Sequence, residues 1–561
     1  MRIIIVGGVA AGMSAAARAR RHDENAEIIV LERGPEVSFA NCGLPYHVSG
    51  EIADADSLLV QTPESLRAAL NLDVRIHHEV TAIDTAARTV SVSSPAGDAE
   101  LSYDALVLAP GASALVPPLP GIDSPRVRTL RTVGDAVALR ERVTAGARRA
   151  VVLGAGFIGL EAAEALRHAG LDVAVVELAP HVLPPLEQEL ATLVTEELQA
   201  LGIRVIDGIG AASVDHADDA DTVVLTDGTR LPADIIVMSV GVRPDTAFIA
   251  AAGIETARGA IVVDDRGRTS ADAVWAAGDA TASVDAITGA VRPVALAGPA
   301  NRAGRLIADD IFGMDAARRI TQPLGTAIVR VGDLTAAMTG ANRMALDAAG
   351  IEYRTLHLHP NQHAGYFPGA SAIHLVVHIA AEDGRLLGAQ GVGTDGVDKR
   401  IDVIATAMRA GFAATDLIDL DLAYSPPYGN AKDAVNLVGM VAENVMNGRL
   451  SLWYAAEAET IGETALILDV RTPAEFATGH LPGALNIAHT ELRERIDEVR
   501  EAAAGRPVRV LCAAGVRANI AHRILVGNGF DSASLSGGIQ TLRHWFGADI
   551  ERVLTSEGAY A

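Results

Sequence analysis

Short apolar runs alternate with helical, small-residue patterns through roughly the first 300 residues, the alternation that builds βαβ units around parallel sheets. Two units stand out because a glycine turn joins the strand to the helix. The first reads IIIVGGVAAGMSAAARARR, with a strand over Arg2–Val6, and leads to a second strand, EIIVLERG, that reaches Glu32. The second reads AVVLGAGFIGLEAAEALRHAG and leads to DVAVVELAP, which reaches Glu177. Beyond about residue 447 the pattern changes: a polar connector gives way to the strand-like ALILDV and then VRVLC, which runs into a helical stretch. The expected fold class is α/β, and its length of 561 residues fits three or four domains at about 150 residues each.

The second turn, Gly154-Ala155-Gly156-Phe157-Ile158-Gly159, is a complete G-x-G-x-x-G between a strand and a helix. Glu177, 23 residues past Gly154, falls where a carboxylate accepts hydrogen bonds from an adenosine ribose. A carboxylate there repels a 2′-phosphate, so NADH is expected in preference to NADPH. The first turn has Gly7, Gly8 and Gly12, with Val9 in the place of the middle glycine and Glu32 at the end of the next strand. Two such turns, each offering a helix N-terminus to a pyrophosphate, point to two dinucleotides in one chain. The simplest use of the pair is hydride transfer from a nicotinamide to a flavin. A third segment, Thr269 to Asp279, is an apolar strand ending in Gly-Asp, and Asp279 there can hold a flavin ribityl hydroxyl or cap a following helix.

Composition narrows the partners. Lys and Arg total 46 against 70 Asp and Glu, a net charge of −24, which argues against nucleic acid or an anionic membrane surface. No apolar run reaches the roughly 18 residues of a membrane span. The opening apolar stretch is better explained as strand, glycine turn and helix than as a signal peptide, so the protein is placed in the cytoplasm. Cys42 and Cys512 are the only cysteines, which excludes a disulfide scaffold and a four-cysteine zinc site, and no metal site is expected.

The glycine turns, GLEAAE and TSADAVWAAGDA resemble the two-dinucleotide-fold flavoprotein disulfide reductases over residues 1–445. Within them, Ser38-Phe39-Ala40-Asn41-Cys42-Gly43-Leu44-Pro45-Tyr46 resembles the single-cysteine coenzyme A-disulfide reductase branch. His47 stands where the C-x4-C reductases carry a second cysteine, so no internal dithiol can form there. The segments from Ala465 to Phe476, Gly479 to Ala484 and Val508 to Arg517 resemble a rhodanese domain, with Cys512 to Arg517 as its active loop.

The resemblance implies a discontinuous FAD domain (1–110 and 236–310), an NAD domain (111–235), a dimerisation domain (311–447) and a rhodanese domain (460–561). It implies FAD, NADH and coenzyme A as cofactors and substrate, and a homodimer. Cys42 is the expected nucleophile, its thiolate favoured by a helix N-terminus or the flavin and placed just after an apolar strand. Ser14, Arg18 and Arg21 share one helix face and, with Ser38 and Asn41, are the expected coenzyme A contacts, while Asn301 falls at a position where family members carry His. Tyr366 and Tyr424 resemble tyrosines that the family draws from a partner subunit, and are expected to assist the leaving thiolate. Cys512 is expected to carry sulfane sulfur in an anion nest, with Arg517 positioning an anionic donor. The expected activity is reduction of coenzyme A disulfide, persulfide or polysulfide. An NADH oxidase or peroxidase cycling Cys42 through a sulfenic acid, and a flavin redox sensor with a sulfur-carrier module, are the alternatives.

Overall fold

Ile3, Ile4 and Ile5 are fully buried, as a strand covered on both faces must be. In the computed structural model, which describes residues 1–314 and 318–555, their strand, Arg2–Val6, is the middle of a five-stranded parallel sheet. It pairs with Glu27–Leu31 on one side and Ala105–Leu108 on the other, and Asp73–Arg75 and Val274–Ala276 complete the edges. The helix Ala10–His22 follows the first glycine turn and packs on Ala297–Ile311. The two backbones approach so closely that a Cβ on Gly304 would stand 2.1 Å from the Ala11 carbonyl oxygen.

A second parallel sheet repeats the plan around Arg149–Leu153, flanked by Asp172–Val176 and Ile235–Met238, with Arg204–Ile206 and Val127–Arg128 outermost. Both sheets belong to one compact unit, residues 1–180 with 201–325. Two boundaries expected from sequence shift as a result. The strand Ile235–Met238 completes the second sheet, so the return to the first domain comes after residue 238 and not at 236. The helix Gln188–Ala200, inside the expected 111–235 domain, packs instead in the other unit, residues 181–200 with the chain from 326 onward.

That second unit holds an antiparallel sheet in the order Ala327–Val331, Leu334–Gly340, Leu386–Gly393, Ile373–Ala380, Tyr353–Leu358. The helices Val397–Ala410 and Ala434–Met446 bury their apolar faces against it. The chain then enters a third parallel sheet almost at once. Leu452–Trp453 is its edge strand, next to Ser532–Leu535, Val508–Leu511, Leu466–Asp469 and Leu485–Asn486. Trp453 is buried and its indole N–H donates to the Val510 carbonyl at 3.2 Å, an anchor that ties the edge to the centre. The last domain therefore starts near residue 452 and not at 460, and the polar connector is only a few residues long. Residues 556–561 of the expected range lie outside the described residues.

A buried ionic network crosses this unit. Arg343 contacts the carboxylates of Glu187 and Glu189, His378 Nε2 lies 2.8 Å from Glu187, and His357 Nε2 lies 2.7 Å from Glu189. The other face of His357 reaches Ser536, at the end of the third sheet's strand Ser532–Leu535, with Nδ1 2.7 Å from Oγ. Burial opposes the ionisation of Glu189, but hydrogen bonds from His357 and Arg343 outweigh it and hold the carboxyl far below its usual range. Among the described residues, no helix is long and apolar enough to cross a membrane.

Candidate active sites

The glycines of the two turns do different jobs, which the backbone geometry separates. Gly7 and Gly154 have φ of +99° and +100°, and a Cβ on either would strike the carbonyl of the adjacent strand's continuation, Ala109 or Ser239. Gly12 and Gly159 let each helix close onto its own turn: a Cβ would stand 2.0 Å and 1.9 Å from the carbonyl oxygens of Gly7 and Gly154. Gly156 is different, because a Cβ there meets nothing within 4 Å. Bare backbone beside open space at a helix N-terminus is what a pyrophosphate needs for close approach, so the site fits a dinucleotide.

The two acidic residues are in place and tie the turns together. Glu32 accepts from the N–H groups of Gly8 and Gly34 at 2.8 and 2.7 Å. Glu177 accepts from Ala155 and Ala179 at 2.6 and 2.8 Å. Asp279 lies in the turn after Val274–Ala276, where Arg131 Nη2 contacts it at 2.6 Å. The strand Ala282–Val284 follows, so the helix-capping reading of Asp279 does not hold.

Cys42 is exposed and lies in a short 3-10 turn, Asn41–Gly43, that runs into the helix Leu44–Ser49. The segment before it is not the expected strand: residues 32–40 form a loop, with a single bridge from Phe39 to Leu59. Ser38 holds that loop on the first glycine turn, its N–H donating to the Gly8 carbonyl at 2.8 Å while its own φ is +47°. On its other side the cysteine helix packs against Phe157–His168 of the second turn and Val133–Thr144. Tyr46 Oη donates to Glu161 at 3.3 Å, and Arg140 donates to the carbonyls of His47, Ile52 and Ala53. The thiol is thus fastened to both dinucleotide turns, which sequence order alone could not show.

The electrostatics of Cys42 correct an expectation. Burial pushes its thiol up, the Glu161 carboxylate adds to the rise, and Arg131 only partly offsets them. Together these groups favour the thiol over the thiolate. Arg131 and Glu161 were not singled out from the sequence, and nothing local to them marks the role.

The expected coenzyme A face is partly engaged within the protein. Ser14 Oγ donates to Asn301 Oδ1 at 2.7 Å, and Arg18 gives its Nε to Asp309, which His22 also contacts. Burial opposes ionisation of Asp309, but these hydrogen bonds hold its carboxyl below the usual range. Arg21 is exposed and donates to the Ala17 carbonyl of its own helix, while Asn41 is half-exposed at the start of the cysteine turn.

In the second unit, Cys512 ends the strand Val508–Leu511 and is buried. Its Sγ accepts from the backbone N–H groups of Gly515 and Ala518 at 3.2 and 3.3 Å, a cradle for a thiolate at the start of the helix Val516–Gly527. The loop's far side is closed by Gly538–Phe546: Ile539 N–H donates to the Cys512 carbonyl at 2.8 Å, and a Cβ on Gly538 would meet that carbonyl at 2.5 Å. Arg517, expected to position an anionic donor, is paired within the protein. It forms a two-pronged pair with Glu475 at 2.7 and 2.8 Å, which holds Glu475 at about 2. Glu475 also closes a capping box with Thr472.

Tyr366 and Tyr424, 58 residues apart in sequence, meet with their hydroxyl oxygens 3.4 Å apart. They are 77% and 48% exposed, so neither fills a core.

These features define a two-dinucleotide oxidoreductase that also carries a further α/β domain with a buried cysteine, and the comparisons agree. Residues 1–295 match the family described as pyridine nucleotide-disulphide oxidoreductase, and residues 326–435 match that family's dimerisation domain. Residues 453–543 match the rhodanese-like domain. The chain belongs to the pyridine nucleotide-disulphide oxidoreductases and carries a C-terminal rhodanese-like domain. A coenzyme A disulfide reductase of Staphylococcus haemolyticus is 34% identical over 452 residues, 79% of this chain and all of the relative. A Methanocaldococcus jannaschii relative, 31% identical and matched over 97% of its length and 78% of this chain, is an NADH oxidase. Among solved structures, reduced Bacillus anthracis CoADR-RHD superposes with a TM-score of 0.95 at 37% identity, covering 99% of both chains. An NAD-dependent persulfide reductase from A. fulgidus gives 0.90 at 36% identity, covering 96% of this chain and all of the other. FAD and NADH are the cofactors of this class, and the cradles at Gly7 to Gly12 and Gly154 to Gly159 fit them.

Proposed function

We propose that the protein is an FAD-dependent NADH:coenzyme A-disulfide and coenzyme A-persulfide reductase whose rhodanese domain handles sulfane sulfur at Cys512. The observation that carries the reading is the lone exposed thiol of Cys42, fastened to both glycine turns, with His47 in the place of a second cysteine. A dithiol enzyme passes electrons through its own disulfide. With one thiol, the second sulfur must come from the substrate.

FAD, when bound, supplies two-electron transfer between the nicotinamide and the cysteine sulfur. The Cys42 thiolate attacks one sulfur of coenzyme A disulfide, forming a Cys42–coenzyme A mixed disulfide and releasing one coenzyme A thiolate. Two electrons from NADH cleave that S–S bond and return the Cys42 thiolate with the second coenzyme A thiolate. The sum is one NADH and one proton consumed per disulfide, giving NAD⁺ and two thiols; a persulfide substrate gives one thiol and hydrogen sulfide. Arg21, Asn41 and the terminal amino groups of Arg18 suit the phosphates of the coenzyme, with Ser14 and Ser38 fixing the surrounding backbone. Tyr366 and Tyr424 serve the site of a second copy in a homodimer, each hydroxyl able to donate to a departing thiolate. Residues Gly7, Gly8, Gly12, Glu32 and Asp279 hold FAD, and Gly154, Gly156, Gly159 and Glu177 hold NADH.

The test is anaerobic NADH oxidation with coenzyme A disulfide, coenzyme A persulfide or hydrogen peroxide, using wild type, Cys42→Ser and Cys512→Ser. Turnover on the sulfur substrates that vanishes in Cys42→Ser is expected, with Cys512→Ser impaired only when thiosulfate supplies the sulfur. Turnover on peroxide alone would replace this reading with the oxidase one.

A further inference from the structure

Three histidines that neither reaction uses converge where the antiparallel sheet meets the last helix of the rhodanese domain. His359 follows the strand Tyr353–Leu358, His374 lies in Ile373–Ala380, and His544 lies in the helix Gly538–Phe546. All three are half-buried, and one ring nitrogen from each lies within 4.8 Å of the others. His359 Nδ1 and His374 Nδ1 face each other at 2.8 Å, and the His544 ring stands nearly perpendicular to both. Among the described residues, this is the one group of three or more His, Cys, Asp or Glu side chains close enough to share a metal ion.

We propose that His359, His374 and His544 form a binding site for a divalent transition metal of the zinc class, tying the rhodanese domain to the dimerisation domain. Three neutral imidazoles with an open fourth position are an established donor set for this ion. Tetrahedral bonds of about 2.0–2.1 Å place ligand nitrogens roughly 3.3 Å apart, so the pair now at 2.8 Å opens by about half an ångström and His544 closes inward.

A further feature supports it. Thr541 Oγ1 lies 2.8 Å from His359 Nε2, the outer-shell partner that leaves the lone pair on Nδ1, the atom facing His374. The site has a mechanical consequence as well, because the N-terminal end of Gly538–Phe546 closes the Cys512 loop through Ile539.

The experiment is equilibrium dialysis of untagged, FAD-loaded full-length protein against micromolar Zn²⁺, followed by metal quantitation and thermal unfolding. About one zinc per chain is expected, with a raised unfolding midpoint that chelator reverses. A Cys42→Ser/Cys512→Ser protein should keep the zinc, and His374→Ala and His544→Gln should lose it. Thr541→Val, which preserves shape but removes the outer partner, should weaken binding about tenfold. Absence of stoichiometric zinc in wild type, its loss in the cysteine-free protein, or its retention in both histidine variants would overturn the proposal. Should His374→Ala misfold, His544→Gln and Thr541→Val decide.

Discussion

Cys42 shows how far a single residue's chemistry depends on neighbours that its own motif does not contain. The nonapeptide around it resembles one that carries a nucleophile, but the thiol's ionisation is set by its burial and by Glu161 and Arg131, which arrive from other elements. Because its pKa is raised, the reactive thiolate is scarce at neutral pH and grows about tenfold per pH unit until the titration is passed. In FAD-free Cys512→Ser protein, iodoacetamide alkylation of Cys42 should therefore lag a small free thiol at pH 7 and accelerate with pH. Glu161→Gln should speed it and Arg131→Ala slow it, each by about threefold at a half-screened site. The opposite order would show that another group controls the thiol. Glu475 teaches the same lesson at the other cysteine, where one carboxylate closes a helix cap with Thr472 and pairs with Arg517.

At the scale of elements, the two strand–turn–helix units were legible because their chemistry is local. Gly154 supplies a left-handed turn, Gly159 close packing and Gly156 open backbone, and all three needs arise within six residues. They separate on substitution. Gly156→Ala should leave thermal stability unchanged while raising the KM for NADH about tenfold, since the methyl enters only the space a pyrophosphate needs. Gly159→Ala should cost about 2 kcal/mol of stability by forcing a methyl against the Gly154 carbonyl. Steady-state kinetics beside denaturant unfolding distinguishes the two; equal stability losses would refute the division. The element boundaries that sequence misplaced, at Ile235–Met238 and Leu452–Trp453, are short strands whose identity comes from a distant partner's hydrogen bonds.

For the molecule as a whole, the Glu187–Arg343–Glu189–His357 network draws together residues more than 150 positions apart and ends on Ser536 of the rhodanese domain. Glu189→Gln leaves Arg343 and His357 buried beside a neutral amide, so the second unit should lose about 3 kcal/mol of unfolding free energy. A double-mutant cycle with Ser536→Ala would then measure how much of that loss belongs to domain docking. A change indistinguishable from a surface substitution would show that the network is not a structural tie.

Local pattern by itself determined the α/β class and the two dinucleotide turns with Glu32 and Glu177, and resemblance to known families marked the Cys42 motif and the rhodanese loop, because each is written within a few dozen residues. Only the tertiary structure decided what surrounds them: the meeting of Tyr366 with Tyr424, the pairing of Arg517 with Glu475, the charges on Cys42, and the convergence of His359, His374 and His544. Those contacts join side chains from separate strands and helices, and their free energy depends on distance and burial, quantities that exist only once the sheets have packed.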